Sequence, residues 1–136
     1  MRKAAYSPVP PSYTMAARDD SFYEAKARVI EALANPKRLA ILDLLGDAER
    51  PVSELSSSLG LPQATTSQHL SVLRRAGVVA TRREGNFVYY RIADPRITAA
   101  CRAMSDAVVQ LLRIEQERLG PALALSARMS AAEGGT

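Results

Sequence analysis

A mainly helical domain carrying one small β-hairpin is what this sequence predicts, on three observations. Apolar residues recur at helical spacing from Phe22 to Leu73 and again from Ile97 to Leu112. Two short helical stretches are separated by Leu59-Gly60-Leu61-Pro62, glycine and proline punctuation of the kind that closes one helix and opens another. After Gly77 the period falls from about 3.6 to 2, in residues that are largely β-branched or aromatic.

Residues 1–18 are rich in Pro, Ser and Ala, show no period, and are expected to form a flexible tail in which only Tyr6 and Tyr13 have docking potential. Asp19, Asp20 or Ser21 can cap the first helix, where Phe22, Ala25, Val29 and Leu33 fall on one side. Asn35-Pro36 closes that helix and opens the second, because proline disfavours a helical residue before it but suits a first turn. Leu39, Ile41, Leu42 and Leu45 are its apolar residues, Gly46 ends it, and Asp47 to Pro51 is expected to be a polar turn.

Ser53 is the expected cap of a third, short helix with Leu55 and Leu59 inward and Gly60 as its stop. A fourth runs from Gln63 to about Ala76, with Leu70 and Leu73 inward and Gly77 behind it. Val78 to Arg83 and Phe87 to Ile92 then form a hairpin around Glu84-Gly85-Asn86. Asp94-Pro95 starts the last helix, expected to stop at Gly120-Pro121, with residues 121–136 disordered. The domain itself is therefore 19–120. The stripe Ile97, Cys101, Met104, Val108, Leu111 and Leu112, added to that of the first helix, exceeds what one small core needs, so a second copy is expected to cover it.

Composition narrows the function. The 136 residues are 47% hydrophobic and 24% charged, with no apolar run long enough to span a bilayer. Pro8, Pro10 and Pro11 break up the N-terminal apolar residues, unlike a signal peptide, so a cytoplasmic location is expected. The single cysteine, Cys101, excludes an intrachain disulfide and any zinc site built from several thiolates of one chain. No Gly-rich phosphate loop, catalytic triad order or paired carboxylates point to an enzyme, and no cofactor is implied. The formal charge is +4, and all of it lies between Gln63 and Ala93, where Arg74, Arg75, Arg82, Arg83 and Arg91 face one acid, Glu84. Such a block suits a polyanion partner, or simply a solvated face.

The fourth helix offers Gln63, Thr65, Thr66, Ser67, Gln68 and His69 as short hydrogen-bonding groups for base edges, while Arg82, Arg83 and Asn86 near the hairpin tip suit phosphates. Together these elements make a winged helix-turn-helix. His69 is the only histidine, so it lacks partners for a metal, and no nucleophile or pocket marks it as a base; packing against its own helix is the alternative to a contact with DNA.

"ALANPKRLAILDLL" (32–45), "VSELSSSLGLPQATTSQHLSVLRRAGVV" (52–79) and "RREGNFVYYRI" (82–92) resemble the ArsR/SmtB family of bacterial winged-helix repressors, over about Phe22 to Leu119. The resemblance implies a homodimer on a palindromic double-stranded operator, paired through its first and last helices. Phe22, Val29, Cys101, Met104, Val108, Leu111 and Leu112 would form the interface. It places Gln63, Thr65, Ser67, Gln68 and His69 toward the major groove, with Arg83 and Asn86 on the wing.

The family's metal sites are not matched. Its Cys-x-Cys pair falls on Pro51 and Ser53, and its last-helix set falls on Asp94, Arg96, Ala107 and Gln110, of which only the aspartate is a fitting ligand. No metal is therefore assigned, and the implied effector is a small molecule or a thiol-reactive agent. Cys101 is the candidate sensor, meeting its twin across the dimer, although a lone cysteine on an apolar stripe is ordinarily packing. Two alternatives stay open: a redox-responsive repressor acting through Cys101, and a winged helix that binds protein instead of DNA.

Overall fold

The fold is described from a computed structural model covering residues 19–134. The tail expected over residues 1–18 lies outside the described residues, as do the last two positions. In chain order the elements are α1 (Asp20–Leu33), α2 (Pro36–Leu45), β1 (Arg50–Pro51), α3 (Val52–Leu59), α4 (Gln63–Arg75), β2 (Val79–Glu84), β3 (Phe87–Ile92) and α5 (Pro95–Glu133). They divide into a unit ending at Asp94 and a second beginning at Pro95.

In the first unit the caps carry the boundaries. Asp19 caps α1, its carboxylate accepting from the Phe22 N–H at 3.1 Å and the Ser21 hydroxyl at 2.6 Å. These bonds hold its carboxyl below the ordinary value, the hydroxyl contributing most. Asn35 caps α2 by accepting from the N–H groups of Lys37 and Arg38, with Pro36 preset for the first turn. The third cap differs from expectation: α3 already begins at Val52, Pro51 stands at its N-cap, and no side chain caps it. Ser53 lies within the helix, since a proline that cannot donate forfeits nothing at a helix entrance.

Ile41, Leu42 and Leu45 of α2, Leu55 of α3, and Leu70 and Leu73 of α4 form the core with Val78, Val79 and Ile92. Burying such a side chain contributes about 1.5–3 kcal/mol, so this cluster sets how the three helices lie on the sheet.

That sheet is antiparallel throughout, in the order β1-β3-β2, with Val79 opposite Ile92 and Glu84 opposite Phe87. The turn is thus the two-residue Gly85-Asn86. Gly85 has φ of +60° and Asn86 a negative one, the type II′ pattern that matches strand twist. A correction concerns residues 47–51, expected to be a polar turn throughout: Arg50 and Pro51 pair with Tyr90 and Tyr89 as an edge strand. Two residues are too few to display a period, and the edge is where a strand proline is tolerated.

The second unit is a single helix, and it corrects another expectation. α5 does not stop at Leu119 but continues through Gly120 and Pro121 to Glu133, so residues 121–133 are helical instead of disordered. Proline forfeits one bond of the ladder, yet the following ALALSARMSAAE is rich in strong helix formers.

Candidate nucleic-acid interface

The helix-turn-helix is made by how α3 ends. Gly60 takes the left-handed conformation (φ 65°, ψ 33°), and the Leu61 N–H donates back to the Ser56 carbonyl at 3.1 Å, a Schellman closure. Pro62 then stands at the N-cap of α4 with no side chain capping that helix, which leaves its first-turn N–H groups without a side-chain acceptor.

The faces of α4 separate cleanly. Thr66, Leu70 and Leu73 are buried at successive turns. On the opposite side Ala64, Gln68, Ser71 and Arg75 are exposed, with Gln63 and Arg74 exposed beside them. Thr65, Ser67 and His69 are half-buried along the edges. Five of the six expected groove-facing residues therefore reach the surface at least in part.

Thr66 does not. It is 0% exposed, and its hydroxyl donates to the Pro62 carbonyl at 3.3 Å, so it belongs to the core and not to the DNA face. Its polarity suggested the surface, whereas its spacing from Leu70 and Leu73 put it on the buried stripe. The same helical spacing, carried forward from Gln68, leads to Ser71 and Arg75, exposed residues that the reading of residues 63–69 missed.

The wing has two unlike faces. By strand alternation Arg82, Glu84, Phe87 and Tyr89 share one side, while Arg83 and Val88 lie on the side that carries buried Val79 and Ile92 nearer the core. Arg82 is heavily engaged. Its Nε donates to Glu49 at 3.0 Å, Nη2 pairs with Glu49 at 2.9 Å, and Nη1 pairs with Glu84 at 2.8 Å. Its guanidinium also lies 4.9 Å from the centre of the Tyr89 ring. The Glu49 bonds, then those to Glu84, raise the Arg82 pKa further, and the Arg82 bond holds the Glu49 carboxyl below its ordinary value.

Two more arginines are committed to structure. Arg38 donates from Nε to the Ala32 carbonyl near the end of α1. Arg50 does the same for Leu44 at 2.6 Å while pairing with Glu54. Among the described residues, Arg74, Arg75 and Arg83 have no carboxylate partner, and Arg83 and Asn86 are both exposed near the hairpin tip. The positive field is thus narrower than the sequence block implied, because Glu49 enters from outside residues 63–93.

The apolar residues expected at a dimer interface are open. Phe22 on α1 and Met104, Val108, Leu111 and Leu112 on α5 are exposed, while Val29 and Cys101 are half-buried. Among the described residues no three His, Cys, Asp or Glu side chains gather as metal ligands, and no helix is long and apolar enough to cross a membrane.

Comparison with known proteins agrees with this architecture. Residues 35–81 match the family described as "Bacterial regulatory protein, arsR family". A Mycobacterium tuberculosis protein named "Uncharacterized HTH-type transcriptional regulator Rv0081" is 45% identical over 101 residues, which cover 68% of this chain and 89% of that protein. The solved structure of HlyU from Vibrio cholerae, a protein named a transcriptional activator, has a TM-score of 0.61 at 37% identity, covering 65% of this chain and 97% of HlyU. A homodimeric winged helix-turn-helix DNA-binding domain of Mycobacterium bovis, described as a possible ArsR-family regulator, superposes with a TM-score of 0.59 at 38% identity, over 74% of this chain and 92% of that domain. The chain belongs to the arsR family of bacterial regulatory proteins: it is a winged helix-turn-helix, DNA-binding transcriptional regulator and not an enzyme.

Proposed function

We propose that the protein is a homodimeric repressor that lays α4 in the major groove of each half of a palindromic operator. The observation that carries this reading is the exposed face of α4. Gln68 and Ser71 present hydrogen-bonding groups there, flanked by Arg74 and Arg75, which have no carboxylate partner among the described residues. Amide and hydroxyl side chains read base edges, while guanidinium groups hold phosphates and fix register. Gln63, Thr65, Ser67 and His69 flank that face, His69 at its margin, where a phosphate is nearer than a base. Arg83 and Asn86 reach the backbone from the wing.

Open Phe22 and half-buried Val29 on α1, and open Met104, Val108, Leu111 and Leu112 with half-buried Cys101 on α5, support pairing with a second copy through these helices. The homodimeric state of the M. bovis domain supports it too. Two-fold symmetry then requires a palindromic site. Occupying such a site within a promoter excludes other proteins without needing a second surface, which favours repression even though HlyU is named an activator. Membership of a family of bacterial regulatory proteins supports a cytoplasmic location. The effector in this reading is a small molecule or a thiol-reactive agent, with Cys101 on α5 as the reactive group in the second case.

The test is selection of duplexes from a random library by the full chain, followed by a promoter reporter carrying the selected site. Enrichment of an inverted repeat and a fall in reporter output on expression are expected. Enrichment of a single half-site would overturn the dimeric reading, and a rise in output would overturn repression.

A further inference from the structure

We propose that Arg82 is a positioning residue that straps the wing to the helix-turn-helix through Tyr89 and Glu49, and that it does not contact DNA phosphate. The inference deepens the DNA-binding reading above and rests on it for its affinity measurements.

Arg82 spans the sheet. It starts on β2, its guanidinium covers the ring of Tyr89, its register partner on β3, and it ends on Glu49, the residue before edge strand β1. β1 runs directly into α3, so one side chain connects the hairpin to the strand that enters the helix-turn-helix. Without it, the outer part of the wing is held only by the two-strand ladder, and an isolated hairpin is marginal in water.

The chemistry of the group argues against a second duty. All three guanidinium nitrogens already meet carboxylate oxygens: Nε and Nη2 meet Glu49, and Nη1 meets Glu84. With Arg91 also acting on Glu49, the two carboxylates are balanced by two cations, so the cluster has no surplus positive charge to attract phosphate. A phosphate would have to displace Glu49 or Glu84 and then face the displaced charge. Arg83, one residue later, lies on the opposite side of the hairpin and has no carboxylate partner among the described residues. Adjacent arginines that look equivalent in sequence therefore divide the work: Arg82 sets where the wing stands, and Arg83 meets the backbone.

The experiment measures affinity of the full chain for a fluorescein-labelled duplex obtained by library selection, over a range of salt concentrations, together with amide hydrogen exchange. Arg83→Ala should flatten the salt dependence by about one released counterion. Arg82→Lys, which keeps the charge but loses the planar fork, and Glu49→Gln should each weaken binding about two- to tenfold with the parent's salt slope, and the double variant should be no weaker than either. In both, exchange at the Glu84 and Phe87 amides, which close the hairpin ladder, should rise while that at Leu70 and Leu73 stays as in the parent. A flattened slope in Arg82→Ala, tighter or unchanged binding in Glu49→Gln, or a uniform rise in exchange across the chain would overturn the proposal. If no duplex is selected, the DNA-binding reading fails, and the exchange measurement alone decides whether the strap exists.

Discussion

The Thr66 hydroxyl donates to the Pro62 carbonyl across the first turn of α4, at 3.3 Å and in a fully buried position. Its methyl group fills the core while its oxygen stays satisfied, so a threonine serves where the neighbours are leucines. Thr66→Ala removes both and is expected to cost about 1–2 kcal/mol of stability, read as a lower urea midpoint. Discrimination between selected and random duplexes should stay intact.

Gln68, in contrast, is exposed at the middle of the same helix. Gln68→Ala should cost about 1–3 kcal/mol of discrimination between the selected duplex and one altered at a single base pair. Arg75→Ala should weaken binding to every duplex alike. Competition titrations distinguish the two, and unchanged discrimination in Gln68→Ala would place the reading face elsewhere.

Arg50 has a different task. Its Nε meets the Leu44 carbonyl in the last turn of α2, where helical carbonyls lack partners. Arg50→Ala is expected to cost about 1 kcal/mol of stability and to leave the salt dependence of DNA binding unaltered. A lost counterion in that variant would show that Arg50 faces phosphate.

The Glu49 carboxyl is held below its ordinary 4.5 chiefly by its hydrogen bond from Arg82. A group whose pKa is lowered by folding contributes stability that is complete above its unfolded value and is lost as pH falls through the folded one. Thermal midpoints of the parent and of Glu49→Gln should therefore differ most near neutral pH and converge below about pH 4.5. Midpoints that stay parallel down to acid pH would mean that the pair contributes nothing to folding.

Much of this arrangement was legible in the sequence wherever a residue's local chemistry and its environment agree. Pro36, Gly46, Gly60 and Gly77 mark helix limits because each has a backbone preference that acts over one turn. Gln68 and Arg83 are polar and exposed, so the open face of α4 and the wing followed from pattern. Thr66 was misplaced because a hydroxyl is satisfied within its own turn, which hides the cost that would ordinarily keep it outside. Glu49 was missed as the Arg82 partner because thirty-three residues separate them, and no local period connects them. β1 was too short for alternation to show. Pro121 by its own preference signals a stop, which the helix formers after it outweigh.

That proline has a consequence for the life of the protein in a cell. With no N–H at Pro121, the Glu117 carbonyl loses its ladder partner, and local opening of α5 is cheapest there. Proteases cut where a backbone can open without unfolding the rest. Brief digestion should therefore clip the chain near Gly120 and leave the winged unit intact, giving a shortened regulator whose abundance is set by turnover at one joint.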